Sequence, residues 1–298
     1  MSLIKDTWKI VEEFVEDPKY VTIISENFDS IAEEIKKSLK DEPCFFGEPQ
    51  IPLPDDAFKL VQRIIVYDLI TSSINYQYWY GKYDVRPNEA CALQMDNLLT
   101  ESFNEYDCYE FPVVIIDSFA SKLILNRFPN LEKRITHLKE LSGGSLDSYI
   151  YQMAIAIIEN KELNIDYWLS ELIKRFPGFA GDLFLKRAFL FFIQLYRRMG
   201  WFGDEIRKVP VPMDYQLPKM LRWMDCISYG AELDDHVKNQ KLIPENSLME
   251  CELRANCMWI CRELAKKAEC TMADIDTYLW ENRKSCKDPF HLTITTNY

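Results

Sequence analysis

The strongest constraint on the fold is the spacing of apolar residues, which recur roughly every three or four positions through most of the chain. The segment from Phe28 to Leu39 is typical, because its apolar residues fall on one side of a helix: Phe28, Ile31, Ile35 and Leu39. The same period predicts helices at 1–14, 56–78, 130–141, 148–159, 166–176, 182–199, 247–267 and from 271 onward. Two of these, 56–78 and 182–199, are apolar nearly all round and are predicted to be central.

The glycine content supports an all-α fold. Only 9 of the 298 residues are Gly, whereas β-sandwiches and barrels need many tight turns. Residues 20–24 are expected to be extended but too isolated to form a sheet. The prolines within 209–214 predict an extended connector. The tail 290–298 is also expected to be extended. We predict one compact multi-helix domain, 1–298; if it has two lobes, the seam lies near 143.

Charge and cysteine content restrict the class of protein. The net charge of −12 argues against a surface that coats nucleic acid. No apolar run reaches the roughly 18 residues of a membrane span, and no secretory signal opens the chain. The nine Cys are an odd number without disulfide-framework spacing. We therefore expect a cytoplasmic protein with reduced thiols and without membrane or nucleic-acid partners; the sequence leaves its oligomeric state open.

General motifs leave the chemistry open. Cys257 and Cys261 share a helix face near Cys251 and Cys270, but zinc-ligand spacing is missing, so buried core cysteines are favoured over a metal site. The three histidines are too scattered to form a ligand set, and His137, among charged neighbours, is expected at the surface. The chain has neither a Gly-rich phosphate loop nor a nucleophile elbow.

Three local features stand out. Lys186 and Arg187 interrupt an apolar helix, where they either snorkel to the surface or bind an anion. Asp214 ends the proline connector, where it either caps the next helix or takes part in chemistry. The aromatic cluster 75–79 either packs in the core or stacks on a base. Together, two cations, a carboxylate and an aromatic wall would suit a nucleotide.

These features resemble motifs of the queuosine salvage family, the queuosine 5′-phosphate N-glycosidases. The similar segments follow one another in family order over nearly the whole chain: 12–39, 75–79, 176–179, 185–188, 214–219, 252–255 and 289–298. The resemblance implies an all-helical fold similar to helix–hairpin–helix DNA glycosylases, and hydrolysis of the bond that joins the base to ribose 5′-phosphate. It implies a modified nucleotide as the ligand, with neither metal nor organic cofactor.

Carried over residue by residue, the resemblance makes Asp214 the catalytic carboxylate and Lys186 the contact to phosphate or sugar. Other positions are implied to bind the substrate: Tyr215, Trp79, Tyr76, Tyr78, Asp84 and His291. The chain departs from the family pattern at several positions where polar groups are expected: Tyr80, Gly81, Phe189, Gln194, Leu292 and Ile294. A related modified base is therefore an alternative substrate.

The chemistry of the reaction agrees with this assignment. N-glycosidic cleavage builds positive charge on the ribose, which a carboxylate such as Asp214 can stabilise, and a nearby Lys186 would keep that carboxylate ionised. Two other functions stay open at this point: a non-catalytic nucleotide-binding protein and a helical DNA glycosylase. The acidic charge counts against the DNA glycosylase.

Overall fold

The computed structural model describes residues 2–41, 51, 53–79, 88–106, 112–143, 145–159, 161 and 163–298. Helix dominates these residues, which confirms the predicted all-α class. The α-helices in chain order are α1 Leu3–Val15, α2 Phe28–Asp41, α3 Ala57–Ser73, α4 Asn88–Glu105, α5 Pro112–Asn126, α6 Leu131–Leu141, α7 Leu146–Ile158, α8 Ile165–Arg175, α9 Lys186–Met199, α10 Gln216–Trp223, α11 Ala231–Lys238, α12 Leu248–Ala268 and α13 Met272–Asn282. Short 3-10 turns lie at Pro177–Ala180 and Gly203–Lys208.

Polar side chains fix the starts of several helices by accepting backbone N–H groups, which otherwise have no partner there. They are Ser2, Asp56, Asn164, Ser247 and Thr271. Thr271 and Asp274 form a reciprocal capping box. At the start of α12, the Glu250 side chain accepts the backbone N–H of Asn246, at 3.1 Å, rather than that of the cap residue Ser247.

One backbone expectation is wrong. Residues 20–24 do take part in a sheet, because the strand β1, Val21–Ile23, pairs antiparallel with β2, Ile227–Tyr229. The partner lies some two hundred positions along the chain and carried no strand prediction, so local sequence did not reveal the pairing.

Two central helices are shorter than predicted. The helix expected at 56–78 ends at Ser73, because the Arg134 guanidinium donates to the carbonyls of Ile74, Tyr76 and Gln77, so these residues follow a path outside the helix. The helix expected at 182–199 begins at Lys186. The connector 209–214 and the tail 290–298 lie outside helices and strands, as predicted, and the tail makes one isolated bridge to Leu242.

The core consists mainly of two apolar clusters. The first is built largely from α3 to α9, and it includes residues on both sides of position 143, such as Leu141 and Leu146. The second joins α1 and α2 to α10–α13, with α12 packed against α1, α2, α10 and α13. The N-terminal helices thus pack with the C-terminal ones; the single-domain assignment and the likeness to helix–hairpin–helix glycosylases stay predictions. In the described part of the chain, every helix is too short or too polar to cross a membrane.

Candidate active site

Asp214 is half-buried at the end of the extended connector. Its Oδ1 atom accepts the backbone N–H groups of Gln216, at 2.7 Å, and Leu217, at 3.3 Å. Asp214 therefore caps α10, as one of its two interpretations predicted. Burial raises the pKa of its carboxyl, although the charge of Lys186 and these two N–H groups act in the opposite direction. A catalytic role for Asp214 stays a prediction.

Lys186 is buried at the first position of α9, with an exposed fraction of 2 %. Its ammonium group donates to the Asn75 carbonyl, at 2.8 Å, and to the Asn75 Oδ1 atom, at 2.7 Å. The snorkelling interpretation is therefore wrong, because the charge does not reach solvent. Burial lowers the pKa of Lys186 to about 8, and the nearby charges of Asp214 and Asp276 oppose that shift.

Arg187 makes different contacts from Lys186. Its guanidinium donates to the carbonyls of Ser73 and Gly178 and lies over the Tyr76 ring, 5.3 Å from the ring centre. The expected surface position of His137 is wrong: it is half-buried, and its Nδ1 atom lies 3.2 Å from both the Tyr76 hydroxyl and Arg187. Burial and the charge of Arg187 lower the pKa of His137 to about 3, so it is neutral at neutral pH.

Part of the predicted aromatic wall does come together. Trp79 and Tyr215 share a small cluster with three residues of the tail, which we call the tail cluster: Trp79, Tyr215, Phe290, Leu292 and Tyr298. The Tyr215 and Phe290 ring centres are 4.7 Å apart, and the Tyr78 backbone hydrogen-bonds the Tyr215 hydroxyl. Because Tyr215 follows Asp214 directly, the tail cluster lies beside the candidate carboxylate.

Tyr76 and Tyr78 pack in another direction. The Arg134 guanidinium lies over both rings, 4.4 Å from the centre of Tyr76 and 5.1 Å from that of Tyr78. Both rings belong to the first apolar cluster and are buried. The structure thus gives these two tyrosines packing contacts, and their contact with substrate stays a prediction.

His291 is buried in the tail, with its Nε2 atom 3.1 Å from the Tyr298 hydroxyl. Burial and the charge of Arg254 lower its pKa to about 3, so the ring is neutral. Its role in binding stays a prediction. Asp84, the other predicted binding carboxylate, lies outside the described residues.

Sequence reasoning assigned no role to two charged residues near the site, Arg254 and Asp276. Arg254 is fully buried on α12 and forms ion pairs with Asp182, at 2.7 Å, and Glu250, at 3.1 Å. Asp276 on α13 pairs with Arg197 at 3.0 Å. Burial raises the pKa of Asp276 to about 6, and the charges of Asp214 and Lys186 also act on it. The signal in the sequence that could have identified these residues was a charge on an apolar helix face. Arg254 also lies inside the family-like segment 252–255.

Glu252, at the start of the family-like segment 252–255, has a structural role. It is buried, and its Oε1 atom accepts the backbone N–H groups of Tyr20 and Val21, the latter at 3.1 Å. Glu252 therefore anchors β1 on α12, whereas the charge of Asp214 acts on Lys186.

A family model described as queuosine salvage protein matches residues 92–298, well over half of the chain. The chain belongs to the queuosine salvage protein family. Two relatives carry the name queuosine 5′-phosphate N-glycosylase/hydrolase. The one from Dictyostelium discoideum is 27% identical over 194 residues, covering 57% of this chain and 59% of the relative. The one from Schizosaccharomyces pombe is 23% identical over 189 residues, covering 58% of this chain and 54% of the relative.

The chain thus spans just over half the length of these curated relatives. As a member of the queuosine salvage family, it has the charged groups Lys186, Asp214, Arg254 and Asp276 inside the matched region, whereas Trp79 lies before that region begins at residue 92.

The described residues offer no evident metal site. Within the described ranges, no three His, Cys, Asp or Glu side chains are grouped as ligands. Burial raises the pKa of the Cys257 and Cys261 thiols well above the usual range, which disfavours the thiolate that binds zinc or iron. The expectation that the protein needs no metal stays a prediction.

Proposed function

We propose that this chain hydrolyses the N-glycosidic bond of queuosine 5′-phosphate and releases queuine. One observation carries the proposal: Asp214 lies within electrostatic reach of Lys186 and directly precedes Tyr215 of the tail cluster. Carboxylate, cation and aromatic surface are the three groups that a glycosidic nucleotide cleavage needs. The two relatives, both named queuosine 5′-phosphate N-glycosylase/hydrolase, support the same reaction.

The reaction breaks the bond between C1′ of the ribose and the base nitrogen. Water adds its hydroxide to C1′, and its other proton leaves with the base. Positive charge develops on the ribose in between, and the Asp214 carboxylate stabilises it and orients the attacking water. The backbone bonds of Asp214 to Gln216 and Leu217 hold that carboxylate before substrate arrives, so little is reorganised during the reaction.

Lys186 recognises the 5′-phosphate in this proposal. An ammonium group has three N–H donors, and Asn75 accepts from it at two positions. The remaining donor and the positive charge are available to an anionic oxygen. This contact gives the monophosphate preference over the free nucleoside, because a charge-assisted hydrogen bond is stronger than a neutral one.

The aromatic residues bind the base. We propose that the base stacks on Trp79 and Tyr215, and that the burial of these rings excludes water from the reacting bond. We propose that the reaction uses neither metal nor organic cofactor, and that it takes place in the cytoplasm. The buried thiols of Cys226, Cys251, Cys257, Cys261 and Cys286, which form no disulfide, support a reducing compartment.

The test is to incubate the purified protein with queuosine 5′-phosphate, with queuosine and with duplex DNA, and to measure free base by chromatography and mass spectrometry. We expect queuine from the monophosphate and much less from the nucleoside. Binding of the monophosphate without base release would instead identify a non-catalytic nucleotide-binding protein. Base excision from DNA with strong salt dependence would identify a DNA glycosylase.

A further inference from the structure

We infer that Arg254 is a positioning residue that holds Lys186 and Asp214 in a fixed relative arrangement. The inference rests on the proposed function, because it assigns those two residues to substrate. Its basis is the set of contacts that the buried Arg254 guanidinium makes to two chain segments, one that precedes Lys186 and one that precedes Asp214.

The first contact runs to Lys186 through Asp182. Arg254 binds the Asp182 carboxylate with both terminal nitrogens, Nη1 to Oδ1 at 2.8 Å and Nη2 to Oδ2 at 2.7 Å. The same carboxylate accepts the backbone N–H of Lys186 at 2.8 Å and that of Phe184 at 3.1 Å. Leu185, which lies between Phe184 and Lys186, has a φ of 50°, a backbone conformation that residues other than glycine rarely adopt. Asp182 thus fixes the turn from which α9 begins.

The second contact runs to Asp214. The Arg254 Nη2 atom donates to the carbonyl of Met213 at 3.3 Å. Met213 is fully buried and directly precedes Asp214 in the connector. A single planar group on α12 therefore binds the segment that leads into Lys186 and the segment that leads into Asp214.

The surroundings of Arg254 leave its guanidinium little freedom. The group is packed against two rings, 4.8 Å from the centre of Phe184 and 4.2 Å from that of Tyr298. Glu250 adds an ion pair at 3.1 Å. Burial raises the pKa of Asp182, but the charge and N–H groups of Arg254, together with the backbone N–H groups of Lys186 and Phe184, lower it below its usual value, so that carboxylate is ionised at neutral pH.

Only arginine can make this arrangement. A lysine at the same position keeps the charge, but its ammonium group lacks the planar fork that binds two carboxylate oxygens side by side. The geometry therefore predicts that Arg254→Lys lets Lys186 and Asp214 move relative to each other. A displacement of about 1 Å at a reacting group can reduce the rate by about 10²-fold.

The experiment compares Arg254→Lys with Arg262→Lys, a matched control on the same helix. Arg262 is partly exposed and pairs with Glu12 at 3.0 Å, away from the connector. Single-turnover base release is measured with queuosine 5′-phosphate and with queuosine, normalised to the folded fraction from circular dichroism. Amide hydrogen exchange of Phe184 and Lys186 is followed in the same samples.

We expect Arg254→Lys to lose about 10²-fold in base release, to lose much of the preference for the monophosphate, and to exchange the two amides faster. Arg262→Lys should match the wild type in all three. A folded Arg254→Lys with a normal rate, a normal preference and slow exchange would overturn the inference, even if its melting temperature were lower.

A second variant covers the case in which Arg254→Lys does not fold. Asp182→Asn keeps the side-chain shape and one acceptor oxygen but removes the charge that Arg254 binds. It should show the same loss of rate and preference, and normal values for a folded Asp182→Asn would overturn the inference. If the wild type released no base at all, the proposed function would fail, whereas amide exchange would still decide whether Arg254 fixes the start of α9.

Discussion

The sharpest test of the proposed mechanism is the substitution Asp214→Asn. In the structure, the Asp214 Oδ1 atom accepts two backbone N–H groups at the start of α10. An Asn side chain keeps an oxygen that can accept both, and Asn caps helices about as well as Asp. The raised pKa of Asp214 also means that the fold disfavours its charged form, so removal of the charge does not weaken the folded state.

The expected effects on stability and on rate therefore differ widely. Stability should change by less than about 1 kcal/mol, which corresponds to about 2–4 °C in the melting temperature of a large domain. The rate should fall by about 10²- to 10³-fold, or about 2.7–4 kcal/mol, the scale found when one group that stabilises developing charge is removed. Binding of queuosine 5′-phosphate should persist, because the loss is confined to the transition state.

The assay combines three measurements: single-turnover release of queuine, calorimetric binding of the monophosphate, and thermal unfolding. Asp56→Asn is a matched control, because Asp56 is an exposed cap that accepts the Lys59 N–H at 2.9 Å at the start of α3. The control should keep its rate. Near-normal turnover in a folded Asp214→Asn would show that Asp214 only caps α10 and would remove it from the mechanism.

Three further predictions concern the rest of the site. Lys186→Ala should lower the affinity for the monophosphate by about 10- to 150-fold, the equivalent of about 1.5–3 kcal/mol, with little change for the nucleoside; equal losses measured for both ligands would exclude a phosphate contact. The rate with the monophosphate should decline above pH 8, because the pKa of Lys186 is about 8 and the ammonium form exists below it; Lys186→Arg should move that decline to higher pH, and an unchanged pH profile would contradict the assignment. Trp79→Leu should raise the dissociation constant of the monophosphate, because a stacked base is worth about 1–3 kcal/mol, whereas the control Trp223→Leu, at a residue that is 47% exposed, should not; equal calorimetric affinities would exclude stacking on Trp79.

The sequence did not predict the contacts of Lys186 and Arg187, because these contacts depend on tertiary packing. Lys186 and Arg187 are adjacent, and from the sequence they are interpreted as a pair of cations. In the structure, the two side chains bind different groups. The Lys186 ammonium group donates to the carbonyl and the side chain of Asn75, while Arg187 binds the carbonyls of Ser73 and Gly178. Which neighbour accepts a donor depends on how α3 and α9 pack, and local sequence does not encode that packing.

The sequence by itself determined the all-α class, the extended connector with Asp214 at its end, and the family, because each depends on local features: apolar period, proline positions and ordered motifs. The tertiary structure alone decided the pairing of β1 with β2, the burial of Lys186, and the contacts of Arg254 with Asp182 and Met213. These features join residues up to about two hundred positions apart, and they form only when elements that are distant in the sequence pack together. A buried charge needs a partner, and the sequence shows that need without showing which residue meets it.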